Sequence, residues 1–456
     1  MGKRLTIDEQ LAKRDYKTPS GLVWLGYAIL SNLPFFAPKY HPTYKIIDDP
    51  RKEKGPCFII WNHLSRRDYL FLKKIIAPKK FNMVAGYSEF FRKKFFNLFK
   101  FCKIIPKKNF TQDPVGIRAI NKVIKSGGCV AFSPEGMSSI YGHNQPVVPG
   151  TGRFLQFYGV PVYFMKLEGA YLTSHKTDIK DRVGKVNVTI QKLFTPEDLK
   201  KMTPDEIQDV VNYTFKHDDY EWNKTARIKY KIKNRAAYNL ETICYKCPKC
   251  GAELKMIGWG NKLYCTECGN GVEIDEYYDF HLLHEGDKAP VSPSAWVDWE
   301  RTEVIKQIRA DKEYSFSAEC IIGELPKYEP IKDNNALSIP CGKGIVTIDH
   351  KGMHFVGERR GQPWQWSLGY DTIYSLVIEN DTTATCMYVN GECIEIIPRT
   401  KCIGKMLLLV EEMHRLHVNT WKNFPWCDYM YEGTKLEKRN KSHLEIQWEE
   451  QSSFLL

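Results

Sequence analysis

The sequence predicts an α/β domain, then a small cysteine-knuckle ribbon, then a β-rich C-terminal domain closed by a helix. Three observations carry this. In the first half, apolar runs of strand length at 57–61 and 128–132 alternate with helical stretches such as 115–126 and the one led by Gly150-Thr-Gly-Arg153. In the middle, a Cys-x-x-Cys knuckle occurs twice. Beyond residue 312 the texture turns to short β-rich runs divided by turns. The 456 residues leave room for two or three cores. The expected divisions are an N-terminal segment at 1–40, the α/β domain at 41–240, the ribbon at 241–275, a linker helix at 276–311, the β-rich domain at 312–420 and a tail at 421–456, in which the mixed charges without hydrophobic period after Tyr431 suggest disorder.

The N-terminal segment holds a polar lead of about twenty residues and an apolar stretch at 21–36. Ser31, Asn32 and Pro34 interrupt that stretch, which is already short for a bilayer span, and Trp24, Tyr27, Phe35 and Phe36 suit a lipid interface. It reads as an interfacial wedge or a helix lining an apolar entrance, with a buried core helix as the plain alternative.

The apolar run at 57–61 empties into Asn62-His63, and Asp68 follows five residues after the histidine. Positions i and i+5 do not share a helix face. A loop running into a helix can nonetheless fold Asp68 back on the imidazole, fixing its tautomer and stabilising the imidazolium formed when His63 takes a proton. Such a base, with no nucleophile beside it, suits deprotonating an alcohol held on a substrate. The competing reading is a capping box between Ser65 and Asp68.

Further segments follow in order: Ile104-Ile-Pro-Lys107-Lys108, then Phe132-Ser-Pro-Glu135-Gly136, then Gly159-Val-Pro161-Val162. Together with Asn62-His63 to Asp68, they resemble the four motifs of the glycerolipid acyltransferase family that includes the lysophosphatidate acyltransferases. The resemblance spans roughly 42–220, taking in Arg182 to Thr189 and the acidic helix after Pro196. It implies a mixed sheet with flanking helices, His63 and Asp68 as catalytic residues, and Asn62, Ser65, Lys107, Lys108, Glu135, Gly136, Ser138 and Pro161 as substrate-binding residues. The implied reaction moves a fatty acyl chain from acyl-CoA or acyl carrier protein to a lysophospholipid hydroxyl, with 1-acylglycerol-3-phosphate the expected acceptor and phosphatidate the product. Two departures bear on the acceptor. The family's third motif continues Glu-Gly-Thr-Arg, whereas this chain reads Glu135-Gly136-Met137-Ser138, without the arginine expected to grip the phosphate. The second motif carries Lys107 and Lys108 in place of arginine, though lysine still binds phosphate as a point charge.

Cys247-Pro-Lys-Cys250 and Cys265-Thr-Glu-Cys268 are separated by fourteen residues. Four thiolates so spaced predict a closed, structural zinc site with no open position for substrate. Cys244 reads as a bystander, and His281 and His284 as superfluous to four thiolates. The remaining cysteines are scattered singly and no secretory leader precedes them, which favours a reducing cytosol. The net charge of +12 admits nucleic-acid binding, but the charge is not concentrated in the ribbon, so nucleic acid is not expected. It is denser at Arg66-Arg67, Lys73-Lys74, Lys79-Lys80 and Arg92-Lys93-Lys94, interleaved with Phe90, Phe91, Phe95, Phe96, Phe99 and Phe101. That pattern suits an anionic membrane surface, with Phe91, Phe95, Leu98, Phe99 and Cys102 as one helical stripe. The plain alternative packs the stripe on the domain's own sheet.

In the C-terminal part, strands are expected at 345–348, 353–356, 364–368, 373–378, 385–389 and 393–397, with Asn390-Gly391 as a hairpin turn and 402–416 as a long apolar helix. A strand-rich unit closed by one helix resembles pleckstrin-homology-like domains in topology alone; a β-sandwich serving as a protein contact is the alternative. The combined expectation is an acyltransferase peripheral to the cytoplasmic face of a membrane. Its alternatives are acylation of a different lipid alcohol, and a catalytically weak scaffold whose ribbon or β-rich domain binds a protein or nucleic-acid partner.

Overall fold

The computed structural model describes residues 4–333 and 336–418, together with the backbone of two paired strands, Tyr429–Glu432 and Lys435–Lys438. The rest of the expected tail at 421–456 lies outside the described residues.

Seven strands form the first sheet: β1 (Thr43–Ile46), β2 (Phe58–Trp61), β3 (Phe81–Gly86), β4 (Ile105–Lys107), β5 (Cys129–Phe132), β6 (Val162–Glu168) and β7 (Asn187–Phe194). Their order is β1-β7-β6-β2-β5-β3-β4, and only the β6–β7 pair is antiparallel, so the sheet is mixed. Strands β2 and β5 are apolar throughout because both faces are covered. Phe58, Ile60, Val130 and Phe132 join the core with helices Pro114–Lys125, Thr151–Tyr158 and Pro204–Phe215. Cys57, Ile59, Trp61 and Ala131 join the opposite core with helix Tyr69–Ile76. Asp113 caps Pro114–Lys125, accepting from the Gly116 amide at 2.9 Å, and Gly159 ends Thr151–Tyr158 at φ 57°. The parallel strands β2, β5, β3 and β4 finish at one edge of the sheet, and the site lies there.

The N-terminal segment differs from expectation. Residues Ile7–Ala12 form a helix with a Thr6–Glu9 capping box, and Ile7 and Leu11 are fully covered by Tyr87, Phe90, Cys386 and Cys393. The polar lead is therefore packed into the fold, its charged face outward and its apolar face inward. Helix Gly21–Ser31 divides by face: Trp24 and Tyr27 meet Phe81 edge-on at 4.8 and 6.2 Å, while Leu22, Leu25, Ile29, Leu30 and Phe35 are exposed. No described helix is long and apolar enough to cross a membrane. The basic aromatic stripe divides as well. Phe91 lies before helix Lys93–Phe101 and is buried, Phe95 stacks on Phe99 at 5.2 Å, and Leu98 and Phe101 face outward. Arg66 and Arg67 leave the membrane-facing set, because both guanidinium groups bind Asp181.

The ribbon strands β8 (Met256–Trp259), β9 (Lys262–Cys265), β10 (Gly271–Ile274) and β11 (Phe280–Leu282) form an antiparallel sheet. The ribbon thus runs past its expected end at 275, since β11 pairs with β10. Helix Pro293–Ala310, capped by Ser292, was expected as a linker but is a core element. Trp296, Val304 and Ile308 are buried, and Arg301 donates to Glu411 and Glu412 at 2.8 and 2.7 Å. Seven further strands follow: β12 (Ser315–Glu324), β13 (Ile339–Asp349), β14 (Gly352–Arg359), β15 (Gln362–Leu368), β16 (Val377–Ile378), β17 (Thr385–Val389) and β18 (Glu392–Pro398). They are antiparallel in the order β15-β14-β13-β12-β18-β17-β16, and helix Ile403–His417 closes the unit. Asn390 and Gly391 take φ 49° and 81° in the β17–β18 turn, as a tight hairpin requires. β12 had no counterpart among the expected strands, and the one expected at 373–378 is reduced to two residues. Side chains of all three units meet in one continuous core.

Candidate active site

His63 follows β2 and Glu135 follows β5, placing both where neighbouring parallel strands end. His63 Nδ1 lies 2.8 Å from Asp68 Oδ2. Asp68 is buried and held from its other side: the Ser65 hydroxyl donates to Oδ1 at 2.7 Å and the Ser65 amide at 3.1 Å. Burial pushes the Asp68 carboxyl upward, and the bonds from His63 and Ser65 pull it back. The Ser65–Asp68 contacts of a capping box and the orientation of His63 therefore coexist on one carboxylate. Because Nδ1 is engaged, Nε2 is the ring nitrogen left for a substrate, and the side chain remains 28 % exposed.

Two expected ligand-facing residues turn out to be supports. Asn62 is fully buried, donating to the Leu167 carbonyl and accepting from the Leu167 amide, each at 2.8 Å. It brackets the end of β2 to β6 and so aims the next residue, His63. Ser65 is spent on Asp68. A third expectation, Pro161, is misplaced: β2 and β6 are parallel and Phe58 pairs with Val162, so Pro161 lies level with Cys57, at the far end of β2 from His63. What it offers there is a carbonyl that accepts from the Phe58 amide at 2.9 Å.

The turn at 133–136 is built against His63. Glu135 is fully buried and accepts from the His63 amide and, at 3.3 Å, from the Ser133 hydroxyl. Burial pushes its carboxyl well above 4.5 despite those bonds. Gly136 sits at φ 78°, and a Cβ there would come within 2.9 Å of the Phe110 ring, so both conformation and space demand glycine. The Ser139 amide donates to the His63 carbonyl at 2.7 Å. Ser138 is buried and accepts from Lys176 Nζ at 3.0 Å.

Lys107 ends β4 half-buried, and burial lowers its pKa while Asp113 opposes this. Lys108 places its ammonium 4.7 Å from the Tyr87 ring centroid and 5.5 Å from that of Tyr388. Through Phe110 the loop after these lysines touches Gly136, so the second and third motifs adjoin. Sequence reasoning missed Lys176 altogether. It also missed Asp181, which accepts from Arg67 at 3.1 Å, Tyr40 at 2.8 Å and Ser174 at 2.9 Å, and also from Arg66. Although burial raises the Asp181 carboxyl, Arg66 and Arg67 bring it down to about 2. No local signal marks either residue, since Ser138, the partner of Lys176, and Tyr40, Arg66 and Arg67, the main partners of Asp181, lie far away along the chain.

In the ribbon, the sulfurs of Cys247, Cys250, Cys265 and Cys268 all lie within 4.8 Å of one another. The Cys247–Cys268 and Cys250–Cys265 separations are 3.7 and 3.8 Å. A tetrahedral ion with bonds of about 2.3 Å needs edges of about 3.8 Å, so the set fits zinc. Cys244 lies apart in the core, His281 pairs with Asp275, and His284 with Asp287.

Residues 43–165 match the Acyltransferase family. No curated protein matches the chain. Among solved structures, the chain is similar to the 1-acyl-sn-glycerophosphate (LPA) acyltransferase, PlsC, from Thermotoga maritima, at 16 % identity and a TM-score of 0.33, over 42 % of this chain and 77 % of that one. The family match runs from β1 into β6 and takes in His63, Asp68, Glu135 and their supports. The chain therefore carries an acyltransferase-family domain, with the His63–Asp68 pair at its centre.

Proposed function

We propose that this chain transfers a fatty acyl group from a thioester carrier, acyl-CoA or acyl carrier protein, to the free hydroxyl of a lysophospholipid, with 1-acylglycerol-3-phosphate as acceptor. The 2.8 Å contact between His63 and Asp68 carries the reading, because it leaves an oriented, accessible imidazole with no protein nucleophile needed. His63 Nε2 takes the hydroxyl proton as the acceptor oxygen bonds to the thioester carbonyl carbon. The tetrahedral intermediate then expels the thiolate, which recovers the proton from the imidazolium. Asp68 orients the ring and stabilises its charged form. Lys107 and Lys108 supply positive charge beside the Gly136 turn. A second reading, acylation of an unphosphorylated lipid alcohol, draws on Ser138 standing where the family has arginine.

Turnover of acyl-CoA against a panel of lysolipids tests both readings. His63→Ala should lower the rate by at least ~10²-fold with the fold retained, and Asp68→Asn should also slow it. Wild-type-like turnover in a folded His63→Ala protein would reject the base assignment.

Three further readings accompany this one. The four thiolates hold one structural zinc. The outward Leu22, Leu25, Ile29 and Phe35 and the exposed Lys93, Lys94 and Lys100 are the groups that would attach the chain peripherally to the cytosolic face of an anionic membrane. The β15-to-β16 strand order with one C-terminal helix supports a pleckstrin-homology-like identity for the last domain.

A further inference from the structure

We infer that Lys176 is the cation that binds the acceptor's phosphomonoester, taking over at Ser138 the charge the third motif lacks, and that the β-rich domain holds it there. This rests on the acyl-transfer reading and names a binding residue for the same site. Lys176 follows the short helix Ala170–Thr173, beyond the matched residues 43–165. Its side chain is nevertheless directed to the third-motif turn, where Nζ meets Ser138 Oγ at 3.0 Å. The neighbouring Ser139 amide is bonded to the His63 carbonyl, so the ammonium is anchored one residue from the backbone of the base. In 1-acylglycerol-3-phosphate the free hydroxyl is on the carbon adjacent to the one bearing the phosphate ester. An acceptor with so short an arm needs its cation near the base, and the bonds through Ser138 and Ser139 tie Lys176 to the His63 backbone.

Lys176 is 7 % exposed, and a serine hydroxyl is a weak partner for a charge so buried. The β-rich domain supports it. Burial lowers the Lys176 pKa to about 8; Glu379, just after β16 and also buried, opposes this and favours the charged form, whereas Arg66 adds to the lowering. The Asp381 amide donates to the Lys176 carbonyl at 2.7 Å, and the Ile378 amide reaches Met137 Sδ at 3.5 Å. Tyr374 packs on Phe110, ring centroids 5.4 Å apart, behind Gly136. These contacts fix both Lys176 and the turn it touches.

The test uses the full chain and two probes that differ only in the phosphate, lysophosphatidate and 1-monoacylglycerol, each titrated by calorimetry without donor. Wild type should bind lysophosphatidate more tightly, and Lys176→Met should weaken that binding by about tenfold or more while leaving 1-monoacylglycerol unchanged. Lys176→Arg should keep the preference, and the double variant Ser138→Arg, Lys176→Met should regain it. In turnover, the lysophosphatidate KM should rise in Lys176→Met with the donor KM unchanged. Glycerol 3-phosphate and inorganic phosphate should compete weakly, which separates a lipid head group from a free anion. Equal binding of the two probes by wild type overturns the assignment without any variant. Equal loss for both probes in Lys176→Met, or a loss in Lys176→Arg matching it, also overturns it. Phosphate-selective binding that depends on Lys176 but comes with no acyl transfer would sink the acyl-transfer reading and leave the cation assigned.

Discussion

Asp68 serves His63 and Ser65 at once, and that economy explains why an i, i+5 acid works here: the loop, not a helix, sets the distance. This part of the site was legible because its members are near neighbours in sequence. Lys176, Asp181 and Glu379 were not, since each gains its meaning from a residue that only the folded sheet brings close. Glu135 offers a prediction at this scale. Its folded carboxyl keeps a proton that the unfolded chain releases above about 4.5, so its contribution to stability is complete below that value and declines as pH rises toward the folded pKa. Glu135→Gln carries no such proton. At pH 7.5 its melting temperature should equal or exceed that of wild type, and its advantage should shrink as pH falls toward about 4.5 and stay constant below it. Scanning calorimetry across pH checks this, and an unchanged deficit at every pH would show that Glu135 is ionised in the fold.

Among elements, the strands flanking His63 and Glu135 were readable because burial on both faces leaves an unbroken apolar run. β12 escaped notice because its alternating positions are filled by Ser317, Ala318 and Glu319, residue types that favour strands little, and Ile321 breaks the polar outer face. Pro161 shows a different limit: sequence order gave its strand, but only the parallel register says which end it occupies. The ribbon was legible from spacing alone, yet its packing was not. Leu263, Val272 and Met256 share a core with Ala237, Tyr245 and Trp296, so the ribbon is joined to its neighbours. Purified protein should therefore contain about one zinc per chain. Chelation or Cys265→Ser should lower the main melting transition, not remove a separate small one. Elemental analysis and calorimetry decide it, and a metal-free chain with unchanged melting would refute the site.

Across the whole molecule, the acyltransferase-family domain, the ribbon and the β-rich domain are fastened by contacts between distant segments, such as Arg301 with Glu411 and Glu412. Local periodicity carries no trace of such contacts, and for that reason the docking was invisible in the sequence. The proposed membrane binding belongs to this scale because it would need the apolar face of Gly21–Ser31 and the lysines of Lys93–Phe101 together. Anionic liposomes should retain the chain better than neutral ones, high salt should release much of it, and Leu25→Glu with Ile29→Glu should weaken retention without loss of fold. Sedimentation with liposomes checks this; retention indifferent to lipid charge and to both substitutions would remove the surface from consideration. The first helix carries a consequence of another kind. Ile7 and Leu11 are covered in part by Cys386 and Cys393, and the Ile7 amide bonds to the Lys327 carbonyl. On a ribosome those partners emerge last, roughly 20 to 80 s after the helix at ordinary elongation rates. During that interval only the part of its apolar face that meets Tyr87 and Phe90 can be covered, so complete burial of the first helix waits on the β-rich domain.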